Sequence, residues 1–215
     1  GNLDTDRFLS AMRRWMRASD LIVEETLDYG ELEVSSKQVR WRDWTFDVVV
    51  FCEGFRCAGN PWFRWLPFNP AKGEILTLAG VDLGVNSILS KQKWVLPDPG
   101  AGNFVSGSTW SWDHLDETPT ARGRAALMQG LKLMISEVEA LEVVAHRAGV
   151  RPCTRDRMPF IGRHPGFPAL AVFNGFGSKG ALLSPGLARE FARFLVAGEP
   201  FNPEADIKRV VDGLS

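Results

Sequence analysis

Residues 169–180 read Ala-Leu-Ala-Val-Phe-Asn-Gly-Phe-Gly-Ser-Lys-Gly, and the reading of this stretch decides what kind of fold the chain has. Ala169 to Phe173 is a short continuous apolar run, the pattern of a strand buried on both faces. Gly175, Gly177 and Gly180 then spell G-x-G-x-x-G, and residues 182–197 carry Leu187, Phe191, Phe194 and Leu195 at helical spacing. Strand, glycine loop and helix together match a dinucleotide fingerprint. A nucleotide-binding βαβ unit, however, needs a further strand bearing an acidic residue about 20 positions on. Here the helix runs to Ala197, and Asn202-Pro203-Glu204 opens only a last short helix. The stretch therefore does not start a Rossmann unit. Its local physics is unaffected: glycines admit close backbone approach, and the first N–H groups of a helix, with its dipole, favour negative charge. From this motif alone, an electron-rich ligand on Gly177 to Gly180 and a glycine-rich turn with no ligand are equally good readings.

Working upstream, Gly149-Val150-Arg151-Pro152-Cys153-Thr154-Arg155-Asp156-Arg157-Met158-Pro159-Phe160-Ile161-Gly162 lies between two predicted strands. Two prolines stiffen it, and Arg151 directly follows a predicted strand over 138–149. A guanidinium held by such a backbone can clamp a carboxylate through two parallel hydrogen bonds. Arg155 and Arg157 read as ordinary surface charges, with Arg155 and Asp156 as a solvent-facing pair of little energetic weight.

Further out, the spacing of Phe8, Leu9, Met12, Trp15 and Met16 predicts an amphipathic helix over 5–18. Residues 21–27, 31–35 and 38–41 read as a small meander, and 46–52 as one strand buried on both faces in a parallel sheet, ending at Glu53-Gly54. Residues 74–78, 87–95 and 103–112 read as an antiparallel sheet broken by a turn at Pro97-Asp98-Pro99-Gly100, and 118–135 as a helix.

Composition narrows the function classes. With 215 residues, 45% of them apolar, the chain can bury a core. Its 25 basic and 26 acidic residues leave a net charge of -1, which does not point to nucleic acid or to anionic lipid. The longest apolar runs fall well short of the roughly 20 residues that span a bilayer. Cys52, Cys57 and Cys153 cannot all pair, and Cys52 is expected as a buried thiol in a strand, which fits a reducing, cytoplasmic setting. His114, His146 and His164 lack metal-type spacing, and no G-x-S-x-G elbow is present. Trp62, Trp65, Trp94, Trp110 and Trp112 are spread over the middle third, where each suits a core or a planar-ligand pocket.

Taken together, Arg151-Pro152-x-Thr154-x-Asp156-x-x-Pro159-x-Ile161-Gly162, then Asn174-Gly175-x-Gly177-Ser178-x-Gly180 and Ser184-Pro185, resemble the C-terminal signature of the FAD-dependent D-amino-acid oxidase superfamily, in its glycine and sarcosine oxidase branch. Gly1-Asn2-Leu3-Asp4, the 46–54 segment and Pro70-Ala71-Lys72-Gly73-Glu74 resemble further family segments in the same order. The resemblance implies an α/β (α+β) fold: a largely antiparallel substrate-domain sheet with flanking helices, plus strands and a C-terminal helix of an incomplete FAD-binding domain. It divides the chain into an opening helix and meander (1–45), a strand segment of the FAD domain (46–60), a substrate-binding domain (61–148) and a C-terminal FAD-domain segment (149–215). It implies FAD as cofactor, facing Gly54, Gly175, Phe176, Gly177, Ser178, Lys179 and Gly180, and a small amine or amino acid held at Arg151 with Trp110 beside it. The implied reaction is hydride transfer from the substrate α-carbon to flavin N5, which needs no side-chain general base. The ADP-binding first βα turn is not among these residues, so the chain is expected to be part of a longer gene product, with an N-terminal FAD-binding half as its partner. The alternative is a binding module that keeps the fold without flavin.

Overall fold

In the computed structural model, which describes residues 3–80, 84, 87–98 and 102–211, the chain begins with helix α1 (Thr5–Ala18). The Asp4 carboxylate caps it by accepting from the Arg7 N–H at 2.9 Å. The bounds are those the residue spacing predicts, although no residue of α1 is buried and Phe8, Leu9 and Trp15 are exposed. An antiparallel meander comes next: β1 (Leu32–Val34), β2 (Val39–Trp41) and β3 (Trp44–Phe46). Residues 21–27, expected as a strand, form none.

The apolar run 46–52 is not one strand. Phe46 closes β3, the chain bends at Asp47, a poor strand former, and only β4 (Val49–Phe51) enters a second sheet. Cys52 falls after β4 and is exposed rather than buried.

The largest sheet is built around β5 (Ala71–Ala79). The other strands are β6 (Leu89–Ser90), β7 (Trp94–Asp98), β8 (Asn103–Gly107) and, after helix α2 (Ala121–Lys132), β9 (Glu142–Arg151). The five strands lie in the order β6-β7-β8-β5-β9, antiparallel throughout. Pro97 and Asp98, expected in a turn, are the last residues of β7; Pro99 and Gly100 lie outside the described residues, as do Gly1 and Asn2. Residues 108–112 leave the sheet. Backbone bonds from Ser111 N to Lys72 O (3.0 Å) and from Lys72 N to Ser111 O (2.8 Å) bind them to the end of β5.

Side chains alternate along β5. Leu76 and Leu78 pack with Leu127 and Leu131 of α2, Val95 and Phe104. The same face carries two buried charges: Lys72, 3% exposed, and Glu74, 5% exposed. Lys72 Nζ donates to Asp116 Oδ1 (2.6 Å) and Thr118 O (2.5 Å). Glu74 accepts from the Thr120 N–H and hydroxyl, both at 2.8 Å, and His146 Nε2 lies 2.8 Å from its Oε2. Thr120 also caps α2, accepting from Gly123 N at 2.9 Å. Partnered in this way, the two charges avoid the several kcal/mol that a buried uncompensated ion costs, and they anchor the start of α2 to the sheet.

The smaller sheet has the order β10-β11-β4, with β10 (Phe160–Arg163) antiparallel to β11 (Leu170–Asn174) and β11 parallel to β4. One face packs Leu170 and Val172 against Phe51, Phe63 and Phe160; the other packs Ile161 and Ala171 against Leu187 and Phe191 of α3 (Gly180–Ala197). The last helix, α4 (Lys208–Val211), places Arg209 over the Phe160 ring, with Nε donating to Asp156 Oδ2 at 2.9 Å. The expected Arg155–Asp156 pair does not form, because Asp156 is taken by this distant guanidinium. No helix of the described residues is long and apolar enough to cross a membrane. The mixed architecture is the α/β (α+β) class expected from the sequence.

These contacts set the response of stability to mutation and to pH. Thr120→Ala removes both a helix cap and a donor to buried Glu74, so a loss of about 1–3 kcal/mol is expected in urea unfolding. At Asp156, burial raises the carboxyl pKa, but hydrogen bonds from Arg209 and the Met158 N–H outweigh it and leave the pKa below the ordinary value. The stability from this contact is therefore complete above the ordinary carboxylate value of about 3.9 and is lost as pH falls through the depressed folded value. Asp156→Asn is expected to flatten the acid limb of stability against pH, read by urea midpoints between about pH 5 and pH 2.

Candidate active site

The ends of β4 and β11 are tied by one buried side chain. Asn174, 3% exposed, donates from Nδ2 to Gly54 O at 2.8 Å, and its Oδ1 accepts the Gly175 N–H at 2.8 Å. Gly175 has φ +85°, and a Cβ there would stand 2.7 Å from Thr154 Cγ2, so neither its conformation nor its neighbour admits a side chain. Gly177 N donates to Pro152 O at 3.1 Å. The two motifs that carry the family resemblance are thus one structural unit, packed backbone to backbone. Helix α3 then starts at Gly180. Lys179 at its N-cap makes no side-chain cap bond, so the first-turn N–H groups have no capping side chain. Nothing stands within 4 Å of where a Cβ on Gly54 would be.

Arg151 is the last residue of β9, paired with Ala71, rather than a residue beyond the strand. Its guanidinium lies over the Trp110 ring, 4.4 Å from the centroid, and Nη1 is 3.3 Å from Thr109 O. It also crosses β5 at Gly73, where a Cβ would be 2.0 Å from Nη2. The alternation in Lys72-Gly73-Glu74 now has a cause: the two charges serve α2 on one face, and the glycine makes room for Arg151 on the other. Arg151 has no carboxylate partner among the described residues, and burial lowers its pKa from a value so high that the cation persists.

A cleft of about 550 Å³ is walled by Trp110, Trp112, Thr154 and Gly175 to Lys179, together with Arg155 and Arg157. Arg151 faces an adjoining cleft of about 530 Å³ that also holds Gly73 and Gly177. Trp110 and Gly177 connect the two: Trp110 lines the first and stacks on Arg151, and Gly177 lines both. The tryptophans divide between the two expected roles. Trp62 and Trp65 pack on the core, whereas Trp110, 49% exposed, and Trp112 line the cleft. Of the histidines, His146 lies beside Glu74 and His164 packs among Phe63, Trp65 and Phe167. Among the described residues, no group of three His, Cys, Asp or Glu side chains could hold a metal. Arg155 and Arg157 are exposed, as read from the sequence, and they also line the cleft; the sequence did not show this second feature because the partner of Asp156 lies 53 positions away.

Residues 1–194 match the model of the FAD dependent oxidoreductase family, DAO. The chain belongs to this family. The glycine oxidase of Pseudomonas aeruginosa is 27% identical over 190 residues, covering 88% of this chain and 49% of that protein. That of Pseudomonas putida is 33% identical over 136 residues, covering 63% of this chain and 37% of that protein. The solved glycine oxidase from Geobacillus kaustophilus superposes with a TM-score of 0.64 at 27% identity, over 79% of this chain and 49% of that one. The chain therefore spans about half, or less, of the length of the relatives it matches. Membership in the family bears out the resemblance read from the sequence, and with it the FAD-dependent character of the family and the fold class.

Because Asn174 bonds a carbonyl and an N–H from two loops, Asn174→Ala removes this partner from both, and the buried Gly175 N–H is left unsatisfied. A loss of about 1–3 kcal/mol is expected in thermal or urea unfolding; an unchanged midpoint would show that the two loops hold together without it.

Proposed function

We propose that the complete protein oxidises an amino acid or a related primary or secondary amine with FAD, and that Arg151 holds the substrate carboxylate. The observation that carries this reading is a half-buried guanidinium with no acidic partner among the described residues, stacked on Trp110 and sharing Gly177 with the cleft at the start of α3. An unpaired cation in such a place has unused donors, and its fork matches a carboxylate. Trp110 fixes the guanidinium plane through its ring face and shields one side of it from water. Gly73 leaves space for the fork, and the Thr109 carbonyl takes one of its donors.

The residues at the junction of β4, β11 and α3 fit a flavin. Within Gly177 to Gly180, the Ser178 and Gly180 N–H groups, which unlike those of Gly177 and Lys179 have no backbone partner among the described residues, present positive potential to an electron-rich ring edge, and a side chain on Gly54 would meet only open space. Phe176, Ser178 and Lys179 complete the wall, with Gly175 turning the chain into it. FAD, when bound, supplies the acceptor for the hydride that leaves the substrate α-carbon. The chain's own part is to orient the carboxylate at Arg151 and to stabilise developing negative charge at the α3 N-terminus, as oriented donors do in oxyanion holes. On this reading residues 46–60 and 149–215 form the flavin side, 61–148 the substrate side, and an N-terminal FAD-binding half completes the protein.

The test is the visible absorption spectrum of the complete protein before and after anaerobic addition of glycine, sarcosine, proline and D-amino acids. Bleaching of a flavin band by one of them is expected; a colourless protein that takes up no FAD would overturn the reading in favour of a binding module. Arg151→Ala is expected to weaken binding of the carboxylate substrate by about 2–5 kcal/mol, measured as a rise in KM or Kd. Unchanged kinetics would remove Arg151 from the site.

A further inference from the structure

Arg155 and Arg157 stand in the wall of the cleft that Trp110 and the start of α3 line, and neither the carboxylate held at Arg151 nor the glycine-loop residues proposed to face the flavin call on their guanidinium groups. Both sit in a turn that is locked from within. The Thr154 hydroxyl donates to Met158 O at 2.9 Å, Arg157 N to Thr154 O at 3.4 Å, and Met158 N to Asp156 Oδ1 at 3.0 Å. Arg157 is held at φ +63°, a conformation that residues with a side chain seldom adopt, so the turn dictates where its side chain starts. Asp156, the nearest acid in sequence, is engaged by Arg209 through its other oxygen and is not among the cleft residues. Among the described residues no acidic side chain lines this cleft, and neither arginine makes an ion pair.

The pair is also placed relative to Arg151. Trp110 lines the cleft that holds Arg155 and Arg157 and carries the Arg151 guanidinium over its ring, so two cationic sites share one indole. Arg155 and Arg157 are exposed and well hydrated, and a lone anion gains little from them. A ligand already anchored at Arg151 differs. Its second charged group meets the pair at high effective concentration, without a second loss of association entropy, and a guanidinium fork suits a carboxylate.

We propose that Arg155 and Arg157 bind a second acidic group of the substrate, so that the substrate class is an amine carrying two carboxylates, one at Arg151 and one at this pair. The proposal rests on the reading of the protein as an oxidase of carboxylate-bearing amines. It accounts for two arginines that stand beside the flavin-facing residues of this cleft with no acidic partner there.

The test compares carboxylates that cannot be oxidised, so that binding is read apart from turnover. Calorimetry on the complete protein is expected to give succinate or glutarate an affinity at least about tenfold above that of acetate, equal to about 1.4 kcal/mol. In the double variant Arg155→Gln, Arg157→Gln that ratio is expected to fall to about one. In parallel, iminodiacetate or D-aspartate is expected to reduce the bound flavin at lower concentration than glycine, and the double variant to lose that advantage. No preference for the dicarboxylates in the unaltered protein, or a preference that survives in the double variant, overturns the proposal. Loss of bound FAD from the double variant with the ratio unchanged also overturns it and assigns the arginines to the cofactor phosphates. If no amine reduces the flavin, the oxidation reading fails, while the affinity ratio still decides whether the arginine pair is a second carboxylate site.

Discussion

One buried amide holds the site together. Asn174 lies at the end of β11, where the parallel pairing with β4 has just run out, and it spans the gap that the two diverging chains leave, taking the Gly54 carbonyl and the Gly175 N–H. The Gly175 N–H is buried and would otherwise lack this partner, at roughly 1–3 kcal/mol. From Gly175 onward the consequences are steric. The loop packs on Thr154, Gly177 bonds to Pro152, and α3 is launched with its N-terminus toward the cleft. The open end of a parallel strand pair is where α/β folds generally place ligands, and here the pair is only two strands wide.

The second constraint is the alternation of β5. A strand has two faces, and this one uses them for different tasks within three residues. Lys72 and Glu74 face α2, where each buried charge is matched by hydrogen bonds from the 116–120 segment or to it. Gly73 faces the other way and is the only residue type that leaves the Arg151 guanidinium where it lies. The segment 108–112, pinned to the end of β5 by Ser111, brings Trp110 over that same guanidinium. The cation is thus bounded by an aromatic face, a glycine and a carbonyl, all fixed by the sheet, and it forms no ion pair with a described residue, although Asp6 and Glu117 line the same cleft. A charge that is kept so and left unpaired matches recognition of an external carboxylate better than a structural role, in which the protein would supply the partner.

Membership in the FAD dependent oxidoreductase family agrees with this arrangement. The residues that pack backbone to backbone here are those the family signature names, so the signature records loop geometry as much as ligand contact. The two arginines of the 154–158 turn lie outside that geometry. Both are exposed and make no ion pair among the described residues, so their substitution is expected to cost little stability.

Much of the architecture was legible in the sequence because it rests on local periodicity. The bounds of α1 agree with spacing alone, the strand expected at 169–173 and the helix expected at 182–197 form within two residues of those bounds, and Arg151 stood out because a lone guanidinium between a strand and a proline-stiffened loop has few structural uses. The glycine loop could be excluded as a Rossmann start because its helix leads into Asn202-Pro203-Glu204 rather than into a strand bearing an acid. Other features depended on contacts between distant residues. The run 46–52 reads as one strand until the bend at Asp47 divides it between two sheets, since apolar periodicity does not report which partner each half finds. Asp156 reads as the partner of its neighbour until Arg209 arrives from 53 residues away. Once that carboxylate is withdrawn, Arg155 and Arg157 become the cationic wall of a cleft. Sequence determined the elements and the chemistry each loop carries; tertiary structure decided which charges are neutralised and which are left for a ligand, because neutralisation depends on proximity in space.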